Sequence, residues 1–355
     1  MEQSNKIPWG LITIATILFA FFHRFLVADV LAPTGSWQAK KSQTLEPTPG
    51  SFPLEENGVF FVNNGNVGYL TEDGRLTYYN AHEGILSGTD SEILVSNPTK
   101  KTQEWISRNQ KIQLNSSDQI MVAGQLKLVL QEDYLGFKVV SLDGKTNWTR
   151  VRSAPITSLS QNSQLLAVGD AAGLVEIYDN LGNIISTFRP GGSRYEVIYQ
   201  VAVSPNGQRV LVLSGLEPKR LIVLEKGVDD YKPIQHERVE DQRRFSTELR
   251  WLNDEHFLFS DLDGQRLQLR KILSDWKILV DAKGEVLLAE QLENLNEVLI
   301  ALYYQESLNF FIFTYQGENK VFVSTLASVP WFVRFQDRFY FIRDGQLKSF
   351  VRGQI

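Results

Sequence analysis

The chain has 355 residues, no cysteine, 43% hydrophobic content, a formal net charge of -5 and a pI near 5.6. Without cysteine there are no disulfides, no thiolate metal sites and no lipid anchor on cysteine. A mildly acidic surface argues against a sequence-independent nucleic-acid binder, which displaces counterions with a basic one. The apolar fraction suffices for a sizeable core, as one large repetitive domain or two ordinary ones.

After a short tail, Met1–Lys6, the run Ile7–Phe22 (IPWGLITIATILFAFF) carries no charge; His23-Arg24 and a further apolar piece, Phe25–Ala28, come next. The uncharged run covers only about 24 Å as a helix, short of a ~30 Å hydrocarbon core. Extension to Ala28 closes the gap if His23 and Arg24 snorkel, and Trp9 suits the interfacial belt. Residues 7–28 are therefore expected to form a transmembrane helix or signal anchor. A cleaved signal peptide with Leu26 and Ala28 before the cut is the rival reading, and a buried core helix a third. Arg24, Lys40 and Lys41 against Lys6 favour a cytoplasmic domain by charge alone. The habit of single amino-terminal spans to export the domain behind them favours the opposite, and an extracytoplasmic domain is expected. Residues 29–55 read as a linker rich in Pro, Ser, Thr, Gly and Lys. Within it, Ser36–Ser42 (SWQAKKS) alternates like an edge strand.

The most legible stretch is Ile156–Arg189. Ile156–Ser160, Leu165–Val168, Leu174–Tyr178 and Ile184–Phe188 read as four short strands, with Gln161-Asn162, Gly169-Asp170 with Gly173, and Asp179–Asn183 as turns. Similar sets begin near Tyr199, Glu248, Val286 and Val329, at intervals of 43, 49, 38 and 43 residues. That spacing matches the ~40–45 residues of a four-stranded propeller blade. Turn pairs recur with it: Asp73-Gly74, Asp143-Gly144, Asn206-Gly207, Asp263-Gly264 and Asp344-Gly345. Upstream, Val59 to about Arg108 and Lys111 to about Arg152 make two further units. The expectation is an all-β chain: a seven-bladed propeller over residues 56–355, with six or eight blades as bounds. The last unit, Val329–Ile355, holds only three strands, and Ser36–Ser42, or part of Gln43–Leu54, is expected to supply the fourth and close the ring.

The Ile156–Arg189 unit resembles a WD-repeat blade, with Tyr178-Asp179 where that family has Trp-Asp. No Gly-His pair opens it, and the other units lack Trp-Asp. Gly68–Gly84 (GYLTEDGRLTYYNAHEG) and Val139–Trp148 (VVSLDGKTNW) look more like quinoprotein-type repeats, and Asp143, Thr146 and Trp148 match the part of that repeat that docks blades together. The resemblance implies propeller architecture and no particular activity.

Chemistry-bearing motifs are sparse. His23, His82, His236 and His256 fall in different units without ligand-like spacing, so no metal is expected. Asp261-Leu262-Asp263-Gly264 starts like a calcium loop, but strand residues come at once and a hairpin turn fits better. No nucleophile elbow, phosphate-cradling glycine loop or metalloprotease helix occurs, and no catalytic residue or cofactor is assigned. The connection His236–Glu248 (HERVEDQRRFSTE) is densely charged. Arg238, Arg243 and Arg244 are the candidate partner-binding residues there, against the plainer reading of a solvated loop. The aromatic strands Asn309–Tyr315 and Trp331–Phe341 are read as packed sheet faces rather than a stacking surface. Asn115 and Asn147 fit glycosylation sequons. The favoured function is a membrane-anchored, non-catalytic interaction scaffold whose partners are other envelope or membrane proteins, with no nucleic acid. An extracytoplasmic hydrolase or quinoprotein-like dehydrogenase with its site in the central funnel, and a small-ligand receptor, are the alternatives.

Overall fold

The computed structural model describes residues 37–44, the strands between 58 and 141 with part of their connections, 145–239 continuously, and the strands between 249 and 352 with part of their connections. The segment 7–28 lies outside them, and among the described residues no helix is long and apolar enough to cross a membrane. All regular structure described is β-strand, in eight antiparallel sheets, seven four-stranded and one three-stranded. They are numbered here as blades 1 to 8 in ring order. Blade 1 holds Gly58–Asn63, Asn66–Thr71 and Leu76–Ala81. Blade 2 spans residues 85–115, blade 3 residues 119–151, blade 4 residues 156–188, blade 5 residues 195–239, blade 6 residues 249–280 and blade 7 residues 285–325. Blade 8 takes three strands from 331–352.

The four strands read from Ile156–Arg189 are observed at Ile156–Gln161, Leu165–Asp170, Val175–Asp179 and Ile184–Phe188. Every residue of Leu165–Asp170 is buried, as expected of a strand covered on both faces by neighbouring sheets. Gly74 and Gly207, the second members of two turn pairs, have φ of 82° and 69°, the left-handed backbone those hairpins require. The first strands of blades 1 and 2, of blades 4 and 5, and of blades 5 and 6 lie side by side, which puts first strands at the centre.

Eight sheets stand where the repeat spacing predicts seven units. The difference lies upstream of Ile156. Blades there start at Gly58, Ile85 and Gln119; the first has three described strands and only three or four residues separate each of these blades from the next, so three sheets fill the span allotted to two. Lys111–Asn115, read as the start of a unit, is the outer strand of blade 2.

The first strand of blade 8, Trp331–Phe335, lies beside the first strand of blade 1. Its third, Gln346–Arg352, pairs antiparallel with Trp37–Thr44, from Trp37 opposite Arg352 to Thr44 opposite Gln346. The first described strand is thus the outer strand of the last sheet, and the first and last described strands meet in one blade. Tyr340 and Leu347 of blade 8 share a buried cluster with Phe61, Leu70 and Tyr79 of blade 1, packing the seam between last and first sheets.

Candidate interaction surface

Apolar packing defines the seams, and polar side chains fix their register. Between blades 3 and 4, Leu128, Phe137 and Val139 pack on Leu166, Val168 and Tyr178. Trp148, on the outer strand of blade 3, stacks on Tyr178 at 5.7 Å and donates from Nε1 to the Asn180 carbonyl at 3.2 Å. A Cβ on Gly182 would sit 2.6 Å from the Trp148 ring, so the turn needs glycine for this approach as well as for its φ of 85°. This is the docking role that the quinoprotein resemblance implies for Trp148.

Arg152, just beyond the outer strand of blade 3, is 7% exposed and reaches into blade 4. Its Nη2 pairs with Asp170 at 2.8 Å, and its Nη1 meets Glu176 and donates to Tyr178 Oη at 3.4 Å. Asp170 also accepts the Ala172 and Leu174 amides at 3.0 and 2.9 Å, and the Tyr178 hydroxyl donates to Glu176. Burial works against the guanidinium charge, but Asp170 and Glu176 outweigh it and hold the Arg152 pKa above its ordinary value. Burial, then Glu176, pushes Tyr178 up to about 12. Near neutrality Arg152 keeps its charge and Tyr178 its proton, so the cluster is a staple between blades. Sequence reasoning missed it: the partners lie 18 and 24 residues from Arg152, and no local pattern marks them.

A basic strip lies on blade 5. Arg220 donates from Nε to the Gly192 carbonyl at 3.2 Å, and its Nη1 lies 2.8 Å from His236 Nε2. Burial, then Arg220, lowers the His236 pKa, so this imidazole is neutral at pH 7. Arg238 faces Arg220 across the sheet and is exposed. Arg194 covers the half-exposed Tyr195 ring at 5.2 Å and pairs with Glu217 at 3.1 Å. The reading of His236–Glu248 as one connection needs correction: the outer strand of blade 5 runs Tyr231–Val239, so Arg238 sits on a strand. Its polar run Gln235–Arg238 is that of an edge strand, open to solvent on one side. Arg243 and Arg244 lie outside the described residues, as do Leu262–Gly264 of the calcium-like stretch. His82, His236 and His256 fall in or beside blades 1, 5 and 6, and no group of three or more metal-ligating side chains forms among the described residues.

A family model described as "beta-propeller protein" matches residues 27–350. The chain belongs to that family. A curated relative, an uncharacterized protein of Treponema pallidum (strain Nichols), is 29% identical over 132 residues, a stretch that spans only 35% of either chain. Among solved structures, BamB from Moraxella catarrhalis superposes with a TM-score of 0.59 at 12% identity, covering 89% of this chain and 99% of that one. A computationally designed protein, Ika8, gives 0.57 at 12% identity, with 87% and 98% covered. A chain of a mitotic checkpoint complex gives 0.53 at 11%, with 90% and 97% covered. At such identities the likeness is one of fold.

Proposed function

We propose that this beta-propeller is a protein-interaction scaffold held at a membrane by residues 7–28, and that it meets its partner through the basic strip of blade 5. The observation that carries the reading is Arg194, Arg220 and Arg238 at one end of blade 5, with Arg194 over the exposed Tyr195 ring and Arg220 beside Arg238, on a sheet whose core positions are buried. A rigid blade presents these side chains at little ordering cost. Guanidinium forks with an adjacent aromatic suit an acidic segment of another envelope protein. Arg243 and Arg244, the other two candidate residues, come after Glu240 and Asp241 in the chain. The test is affinity purification of the detergent-solubilised full chain beside an Arg220→Glu/Arg238→Glu variant. A partner that copurifies with the unaltered chain and is lost from the variant, with circular dichroism unchanged, supports the reading. A partner retained undiminished by the variant refutes it. Protease shaving of intact spheroplasts tests the export: cleavage of the propeller is expected, and full protection would place it in the cytoplasm.

A further inference from the structure

The direction of the closing strand settles which side of the ring receives the tether. In each blade with four consecutive strands, the first-to-second and third-to-fourth hairpins lie on one face. The second-to-third hairpins and the crossings to the next blade lie on the other. In blade 4 the third-to-fourth turn is Asp179–Asn183, with Leu181 at its tip 79% exposed; in blade 5 it is Gly227–Asp230, with Val228 98% exposed. In blade 6 the same turn carries Leu273, 62% exposed. Blade 8 has no such turn. Its third strand ends at Arg352, and its fourth begins opposite that residue, at Trp37. The chain therefore enters from the face that carries Leu181, Val228 and Leu273. The basic strip lies toward the other face, at the end of blade 5 where Tyr195 pairs with Leu216 and Lys219 with Val239.

Only residues 29–36 separate the apolar segment from Trp37. Fully extended they reach at most about 30 Å. Strands of five to nine residues in blades 4 and 5 make the ring roughly 17–30 Å thick. A connector entering at one face would spend most of its length crossing the rim to bring the opposite face to the bilayer. We infer that the face of the third-to-fourth hairpins is turned to the lipid surface, with Leu181, Val228 and Leu273 its nearest points, which leaves the arginine strip facing away. One aliphatic tip on each of three successive blades suits a neutral headgroup layer. Asp229 and Asp275 beside the tips disfavour tight adhesion to an anionic one, so the tether supplies the attachment.

The inference rests on the proposed anchoring by residues 7–28, and the experiment separates the two. The chain has no cysteine, so every introduced thiol is unique. Leu181→Cys and Ala172→Cys place probes on opposite faces of one blade, since Ala172 lies exposed in the second-to-third hairpin. Val228→Cys repeats the first position on blade 5. Full-length variants labelled with an environment-sensitive fluorophore are reconstituted into phosphatidylcholine vesicles containing a headgroup-nitroxide lipid. Expected are flotation with the vesicles, loss of fluorescence at positions 181 and 228, and no loss at 172. Flotation with equal or greater loss at 172 overturns the orientation and leaves the anchoring intact. Failure to float overturns both.

Discussion

The seams on either side of blade 4 solve the same packing problem with different chemistry. Toward blade 3, the join combines stacked rings with the buried charges of Arg152, Asp170 and Glu176. Toward blade 5, it is an aliphatic cluster, including Ala167, Ile177, Ile198, Val212 and Leu224, crossed by neutral hydrogen bonds from one inner strand, with a single carboxylate contact on the outer side where Ser186 donates to Asp230. There the Ser158 and Ser160 hydroxyls accept the Val201 and Val203 amides at 3.0 and 2.9 Å, and Thr157 donates to the Ile198 carbonyl at 2.5 Å. The apolar contacts supply the attraction in both joins. The polar groups differ in the cost of losing one of them. A charge stripped of its partner inside a seam keeps its full desolvation cost, whereas a lost hydroxyl leaves a single amide unsatisfied.

Arg152→Ala is the sharpest way to break the contrast. It strands Asp170, only 1% exposed, beside Glu176, and should cost about 3–5 kcal/mol, read as a lowered urea midpoint at unchanged slope. Adding Asp170→Asn should recover part of that loss, since the amide oxygen still serves the turn amides. Strict additivity of the two changes would show that the pair is not coupled. Trp148→Ala comes next. It removes a half-buried ring from Tyr178 and from the Asn180 carbonyl, and a loss of about 2 kcal/mol is expected. The same change made beside Gly182→Ala should add little, because one docking contact underlies both. On the neutral seam, Ser158→Ala and Ser160→Ala should each cost about 1 kcal/mol and add together, measured by the same unfolding. A serine loss matching that of Arg152→Ala would erase the distinction between the seams.

Legibility in the sequence divides along the same line. The four strands of blade 4 emerge from local patterning because β-branched runs and turn residues alternate within a few positions, and Trp148 is recognisable from its place in a repeat. The place of Trp37–Thr44 is implied by a strand missing at the other end of the chain. Blade number does not emerge, since blade 1 has three described strands and only residues 82–84 and 116–118 separate the first three blades, which breaks the spacing found downstream. Arg152 looks like any solvent-facing residue between two units. Its burial is a property of the assembled seam, created by Asp170 and Glu176 across it. Asp170 is recognisable locally as a turn former through its bonds to Ala172 and Leu174, which hides its second use. The arginines of blade 5 come into view only in part, because Arg194 and Arg220 join Arg238 through strand pairing and not through sequence.

The last test separates the seams through Glu176, read in the alkaline range. Tyr178, on the charged side, has a pKa raised to about 12, chiefly by burial and then by Glu176, against about 10 in the unfolded chain. A raised folded pKa means that the folded state holds its proton more tightly. The associated stability is fully present below pH 10 and is lost as pH rises toward 12. Tyr178→Phe should therefore flatten the fall in unfolding midpoint between those values, relative to the unaltered chain at the same pH. Tyr231 belongs to the neutral cluster between blades 4 and 5, and burial alone raises it to about 12, so it titrates in the same window. Tyr231→Phe should flatten the curve to a similar degree. Adding Glu176→Gln should diminish the effect of Tyr178→Phe and leave that of Tyr231→Phe untouched. If Glu176→Gln altered both tyrosines alike, the alkaline response would belong to the protein's overall charge and not to either seam.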